Sequence, residues 1–273
     1  MEKEINIPIV LDVVRKVGND FLKDFRKGVI PENRAELLEQ LDAIDIFCLT
    51  SLKRDLADAF PEISWQTGDE FDLSGQKNPA KHDEYWLCDA MDGAIQYVRH
   101  IAGWTINLAL IRDGKPFFAV IFDPLADEMF WAKEGEGACL NDQAIKPVIK
   151  TDFSVMVAVF EYGHQAASAK NSAQKIGATV TALIENFGVV RNYGPHGLQL
   201  AYTAAGRIDL FIQEDLDTYN WIAGILIAKE AGAKILTTDG DPWTWGSESL
   251  LVASDTTARE FLAAKSTAFY SEI

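Results

Sequence analysis

Three apolar runs at residues 105–112, 117–123 and 128–133 are parted only by Asp113-Gly114 and Asp123-Pro124. Such pairs reverse a chain sharply, because glycine accepts positive φ and proline pre-sets a turn. The spacing therefore predicts a meander of antiparallel strands, a sheet that needs cover on its apolar faces. Upstream, Ile9, Val10, Val13, Val14, Val17, Phe21 and Leu22 recur at helical spacing over residues 8–25. Pro8 suits the first turn, where a missing N–H costs nothing. Residues 32–60 also read as helix, ending before Pro61. Short strands are expected at 63–66 and 85–88.

The second half repeats the mixture. Strands are expected at 155–160, 208–212 and 234–237, and helices at 168–187, 197–206 and 218–231. The whole predicts an α+β fold of two sub-domains, residues 1–150 and 151–273, joined near Lys150 with no low-complexity linker.

Composition narrows the partners. The 273 residues carry 41 acids against 25 bases, a net charge of −16, with Lys and Arg dispersed. A nucleic-acid backbone is not an expected partner of such a surface. No apolar run is long enough to span a bilayer, and the opening Met1-Glu2-Lys3-Glu4 lacks the order of a signal peptide. The expectation is a cytoplasmic protein without membrane contact. Its three cysteines, Cys48, Cys88 and Cys139, are widely spaced and read as structural free thiols.

The chemistry concentrates in WLCDAMDGAIQY, residues 86–97. An apolar lead-in delivers Asp89 and Asp92 to a turn at Gly93, with Asp69 and Glu70 at the end of an earlier strand. Hard divalent cations take several carboxylate oxygens, and glycine lets backbone N–H groups approach an anion. Taken alone, such a turn reads as a solvated surface feature.

The wider sequence gives it context. GDE at 68–70, WLCDAMDG at 86–93 and YNWIAGILIAKEAG at 219–232 resemble three signatures of the inositol monophosphatase family: GEE, then W-x-x-D-P-[IL]-D-G-T, then W-D-x-x-A-[GA] leading into EAGG. RNYGPHGLQLAYTAAGRIDLF at 191–211 resembles that family's R-x-x-G-[ST]-A-A-x-x-L…A-x-G-R-x-D. The resemblance runs over nearly the whole chain. It implies a layered αβαβα sandwich, a homodimer, and magnesium-dependent hydrolysis of a small sugar or polyol phosphate.

Carried over position by position, the resemblance makes Asp69, with Glu70 as substitute, the first metal ligand. Asp89 would bridge two Mg2+ ions, Met91 would lend its carbonyl, and Asp92 would bind the second ion. Gly93 and Ala94 would offer N–H groups to phosphate, Asp45 would help orient water, and Gly194, Pro195, His196 and Gln213 would touch the substrate. Three departures fall on this machinery. Ala94 stands for a threonine that aims the water, Asn220 for an aspartate ligand of the second metal, and Gln213 for a substrate-binding glutamate. Ala94 and Asn220 are thus expected to slow catalysis, and Asn220→Asp to restore a ligand. The other expectation is a catalytically silent relative that binds a phosphorylated ligand or a protein partner.

Overall fold

The computed structural model describes residues 4–66, 74–163 and 172–270. Two helices come first, α1 (Ile7–Asp24) and α2 (Arg34–Ala57). Asn33 caps α2 by accepting from the Glu36 N–H, and the Glu36 carboxylate reaches back to the Glu32 N–H. Both donors at the helix start are thereby satisfied reciprocally. Strands β1 (Ser64–Gln66) and β2 (Glu84–Asp92) follow, then the single turn α3 (Ala94–Val98). The meander is β3 (Thr105–Arg112), β4 (Lys115–Asp123) and β5 (Glu128–Lys133), extended by β6 (Ala138–Leu140) and β7 (Gln143–Ala144). These seven strands form one sheet in sequence order, antiparallel except for β1 with β2.

The second sheet holds β8 (Val157–Tyr162), β9 (Val189–Arg191), β10 (Leu210–Glu214), β11 (Lys234–Leu236) and β12 (Ser249–Ala253), in the order β11-β12-β10-β8-β9. Four helices accompany it: α4 (Ser172–Asn186), α5 (His196–Ala204), α6 (Thr218–Glu230) and α7 (Asp255–Tyr270).

Side-chain alternation sorts these elements into five layers. Trp86, Leu108, Leu110, Val120 and Phe122 point from the first sheet toward α1 and α2. Leu87, Ala109, Ile111, Ala119 and Ile121 point the other way, onto α5, α6 and the inward Phe211, Leu250 and Val252 of the second sheet. Leu210, Ile212, Leu251 and Ala253 face outward onto α4 and α7. The expected αβαβα sandwich is present.

Several boundaries differ from the sequence expectation. The strand expected at 155–160 begins at Val157, because Phe153–Val155 form a 3-10 turn started by the Asp152 carboxylate. The strand expected at 208–212 lies two residues later and carries Gln213 and Glu214 into the sheet. The strand at 85–88 runs on to Asp92, so both aspartates belong to β2. Residues 168–171 of the helix expected at 168–187 lie outside the described residues.

Candidate functional site

Asp89 and Asp92 are three residues apart, which on a regular strand would send them to opposite faces. The β2–β3 register shifts between them: Asp89 pairs with Asn107 and Asp92 with Thr105. This irregularity turns both acids toward Asn107, whose Nδ2 donates to Asp92 Oδ2 at 3.1 Å and approaches Asp89 Oδ2 at 3.5 Å. Thr105 Oγ1 donates to Asn107 Oδ1 at 2.8 Å and so fixes the amide's orientation. Gly93 follows at φ 86°, where an added Cβ would come within 2.8 Å of the Gly103 carbonyl. Only glycine fits that turn.

The opposite wall is the start of α5. Glu161 on β8 accepts from Gly194 N–H, Asn192 Nδ2 and Gln199 Nε2 at 2.6–3.0 Å, tethering the loop that enters the helix. The tether brings the Gly197 N–H onto Asp92 Oδ2 at 2.6 Å. A side chain at 197 would meet Asn107 Nδ2 at 2.5 Å, so glycine is what lets the helix end approach. Asp92 thereby serves as the anion at the N-terminus of α5.

His196 lies between two acids. Its Nδ1 is 3.7 Å from Asp92 Oδ1 and its Nε2 is 3.6 Å from Asp217 Oδ2. Burial disfavours the charged ring, but Asp92, Asp217 and Glu161 outweigh it and raise the pKa to about 9. The imidazole therefore carries its proton at neutral pH. Among the described residues, the ion pairs of both Asp92 and Asp217 are with His196.

Asp217 was not singled out from the sequence, yet it organises this wall. Asn220 Nδ2 donates to its Oδ1 at 2.8 Å, and Gln213 Nε2 to its Oδ2 at 3.1 Å. Gln213 Oε1 in turn accepts from Trp221 Nε1 at 2.6 Å. The two amides that replace family acids thus hold a buried carboxylate three residues before Asn220. Gln213 is fully buried with both ends of its amide engaged. It braces Asp217 and does not line an open cleft, against the sequence expectation.

Asp45 sits on α2, and it and Asp89 both act electrostatically on the buried Cys48 thiol, which hydrogen-bonds Cys88. Desolvation and the neighbouring Asp42 raise the Asp45 pKa to about 6. Met91 is buried, with its side chain in the core beneath α1 and α2. Asp69 and Glu70 lie outside the described residues, which contain no cluster of three or more His, Cys, Asp or Glu able to hold a metal. Half-buried Asp89 offers the hard oxygen chemistry that magnesium takes. Among the described residues, the Asp92–Asn220 half does not fit a cation. Its carboxylate already accepts from Gly197 and Asn107 and faces His196, and its amide donates inward to Asp217.

The family model of the inositol monophosphatase family matches residues 9–269. A Nus factor SuhB of Xylella fastidiosa is 29% identical over 239 residues, 86% of this chain and 82% of that one. An inositol-1-monophosphatase of Rhizobium meliloti is 27% identical over 243 residues, 88% of each chain. The solved inositol monophosphatase of Anabaena superposes with a TM-score of 0.76 at 22% identity, covering 95% of this chain and 96% of that one. No helix among the described residues is long and apolar enough to cross a membrane. With the family model spanning almost its full length and the layers matching, this chain belongs to the inositol monophosphatase family.

Proposed function

We propose that the protein is a magnesium-dependent phosphomonoesterase of low turnover, acting on a small sugar or polyol phosphate between β2 and the start of α5. The observation that carries this reading is the pairing of Asp89 and Asp92 across the β2 irregularity, next to the glycine turn at Gly93. Asp89 would hold the cation, with Asp69 or Glu70 and the Met91 carbonyl as further donors. When bound, magnesium would polarise the phosphate and make its ester bond easier to cleave.

The chain's own residues then do the rest. Gly93 and Ala94 present backbone N–H groups to the phosphate, and Gly194 and Pro195 form the wall nearest the polyol. Asp45, with a pKa of about 6, is ionised near neutral pH and able to take a proton from water. Ala94 has no hydroxyl to aim that water, which on its own is worth roughly 10²–10⁴-fold in rate. The sub-domain boundary near Lys150, the homodimer and the cytoplasmic location belong to the same reading. The charge of −16 favours a small ligand over a nucleic acid.

Asp89→Asn is expected to abolish magnesium-dependent phosphate release from a panel of sugar and polyol monoesters, and with it the magnesium-induced rise in melting temperature in the presence of phosphate. An equal magnesium effect on parent and variant would move the cation site elsewhere. For the homodimer, sedimentation at micromolar concentration should give a species near twice the 30.3 kDa chain; a single 30.3 kDa species would reject it.

A second reading is a non-hydrolysing member that binds a phosphorylated ligand or a protein partner. It is favoured by Ala94 and by the inward-turned Asn220, and some relatives bear the name Nus factor. Absence of phosphate release across the whole panel, with phosphate-dependent stabilisation retained, would select it.

A further inference from the structure

The two walls of the site differ in how their charge is balanced. Asp89 Oδ2 accepts a long contact of 3.5 Å from the Asn107 amide. At Asp92 every oxygen is engaged: Oδ2 by the Gly197 N–H at 2.6 Å and the Asn107 amide at 3.1 Å, and Oδ1 by His196 Nδ1 at 3.7 Å. The far side of the imidazole meets Asp217 Oδ2 at 3.6 Å. Asp217 is itself held by Asn220 and Gln213, both buried.

We propose that the His196 side chain occupies the second half of the site: seated between Asp92 and Asp217, it fills that space and keeps divalent metal off Asp92. This deepens the reading of a magnesium site at Asp89, but it is tested by metal binding and not by turnover, so the two can fail separately.

Three features of the chain support the assignment together. His196 reaches two carboxylates from opposite ring nitrogens, so the ring occupies the space between them. Gly197 lets the start of α5 close on Asp92, since a Cβ there would stand 3.0 Å from the Asp92 oxygen and 2.5 Å from the Asn107 amide. Asn220 offers its NH2 group inward to Asp217, so its carbonyl oxygen is its only metal-binding atom and no charge comes with it. A divalent ion at Asp92 Oδ1 would have to displace the ring.

The experiment counts Mn2+ bound to the full chain by equilibrium dialysis with electron paramagnetic resonance, for the parent, Asp92→Asn, His196→Ala and His196→Ala/Asp92→Asn. The parent and Asp92→Asn should bind the same number of ions. His196→Ala should gain one further ion, at least about tenfold tighter than any such binding in the parent, and the added Asp92→Asn change should remove it. His196→Asn serves as the second variant if His196→Ala does not fold. The parent measurement decides by itself in that event: equal binding by parent and Asp92→Asn supports exclusion. An ion in the parent that Asp92→Asn removes overturns the proposal. So does a folded His196 variant that gains none.

Discussion

Asn220→Asp lowers the melting temperature by on the order of 5–10 °C at pH 7.5 and does not raise magnesium-dependent activity. This reverses what the family pattern alone suggests, where the change restores a metal ligand. The reason is Asp217. Asn220 Nδ2 is 2.8 Å from Asp217 Oδ1, and both side chains are buried. A carboxylate at 220 removes a donor and sets a like charge against an acid that cannot move to solvent. Such a pair keeps one proton, the like charge raising the carboxyl's pKa at a cost of about 3 kcal/mol. At roughly 2–4 °C per kcal/mol for a chain of this size class, the melting shift follows.

The sign of the pH dependence is a separate check. A carboxyl whose folded pKa is raised binds more protons folded than unfolded at neutral pH. Its penalty is therefore full above the raised pKa and shrinks as pH falls toward the unfolded value near 4. Parent and variant should converge toward pH 5 and diverge toward pH 8. Adding Asp217→Asn to Asn220→Asp should return most of the loss, since one acid and one amide again face each other; the strong non-additivity is the signature of contact. A variant as stable as the parent, with faster phosphate release, would reinstate position 220 as a metal ligand.

Gly197→Ala is the second large effect. The added Cβ would sit 2.5 Å from Asn107 Nδ2 and 3.0 Å from Asp92 Oδ2, so α5 must withdraw. Withdrawal lengthens the 2.6 Å bond from the Gly197 N–H to a buried carboxylate. Overpacking costs about 1–3 kcal/mol and a lost charged hydrogen bond about 1.5–3, offset by up to about 1 from alanine's helix propensity. The net expectation is about 3 kcal/mol of destabilisation, read by denaturant unfolding as a lower midpoint with an unchanged slope. An unchanged midpoint would show that α5 is not pinned to Asp92. Gly177, with open space around its Cβ position, is the control: alanine there should be neutral or slightly stabilising.

Much of the architecture was written locally. The Asp113-Gly114 and Asp123-Pro124 turns dictate a meander, and β3 and β5 fall where the apolar runs predict. The one-sided apolar stripe of α1 is legible because only one of its faces meets the sheet. Helix α6 shows no such stripe, since it is buried continuously from Asn220 to Ala228 between the two sheets and is apolar on all sides from Trp221 on. Its end is marked by Gly232, at φ 95°. Strand β12 and helix α7 were missed: nothing in their spacing marks them apart from the turn-rich stretch before them.

At the site, the sequence alone determined the residue types: two aspartates and a glycine at 89–93, a histidine at 196, amides at 213 and 220. Which oxygen meets which donor was decided only by tertiary structure. Spacing along β2 says that Asp89 and Asp92 point apart, and the shifted register with β3 turns them together. No local pattern relates Asp92 to Gly197, 105 residues away. Nor does one reveal that Asn220 and Gln213 serve Asp217. Local sequence fixes backbone conformation through steric and hydrogen-bonding preferences spanning a few residues. Charge balance in a buried site instead depends on groups from β2, β3, β10, α5 and α6, and only packing brings those within a few ångströms of one another.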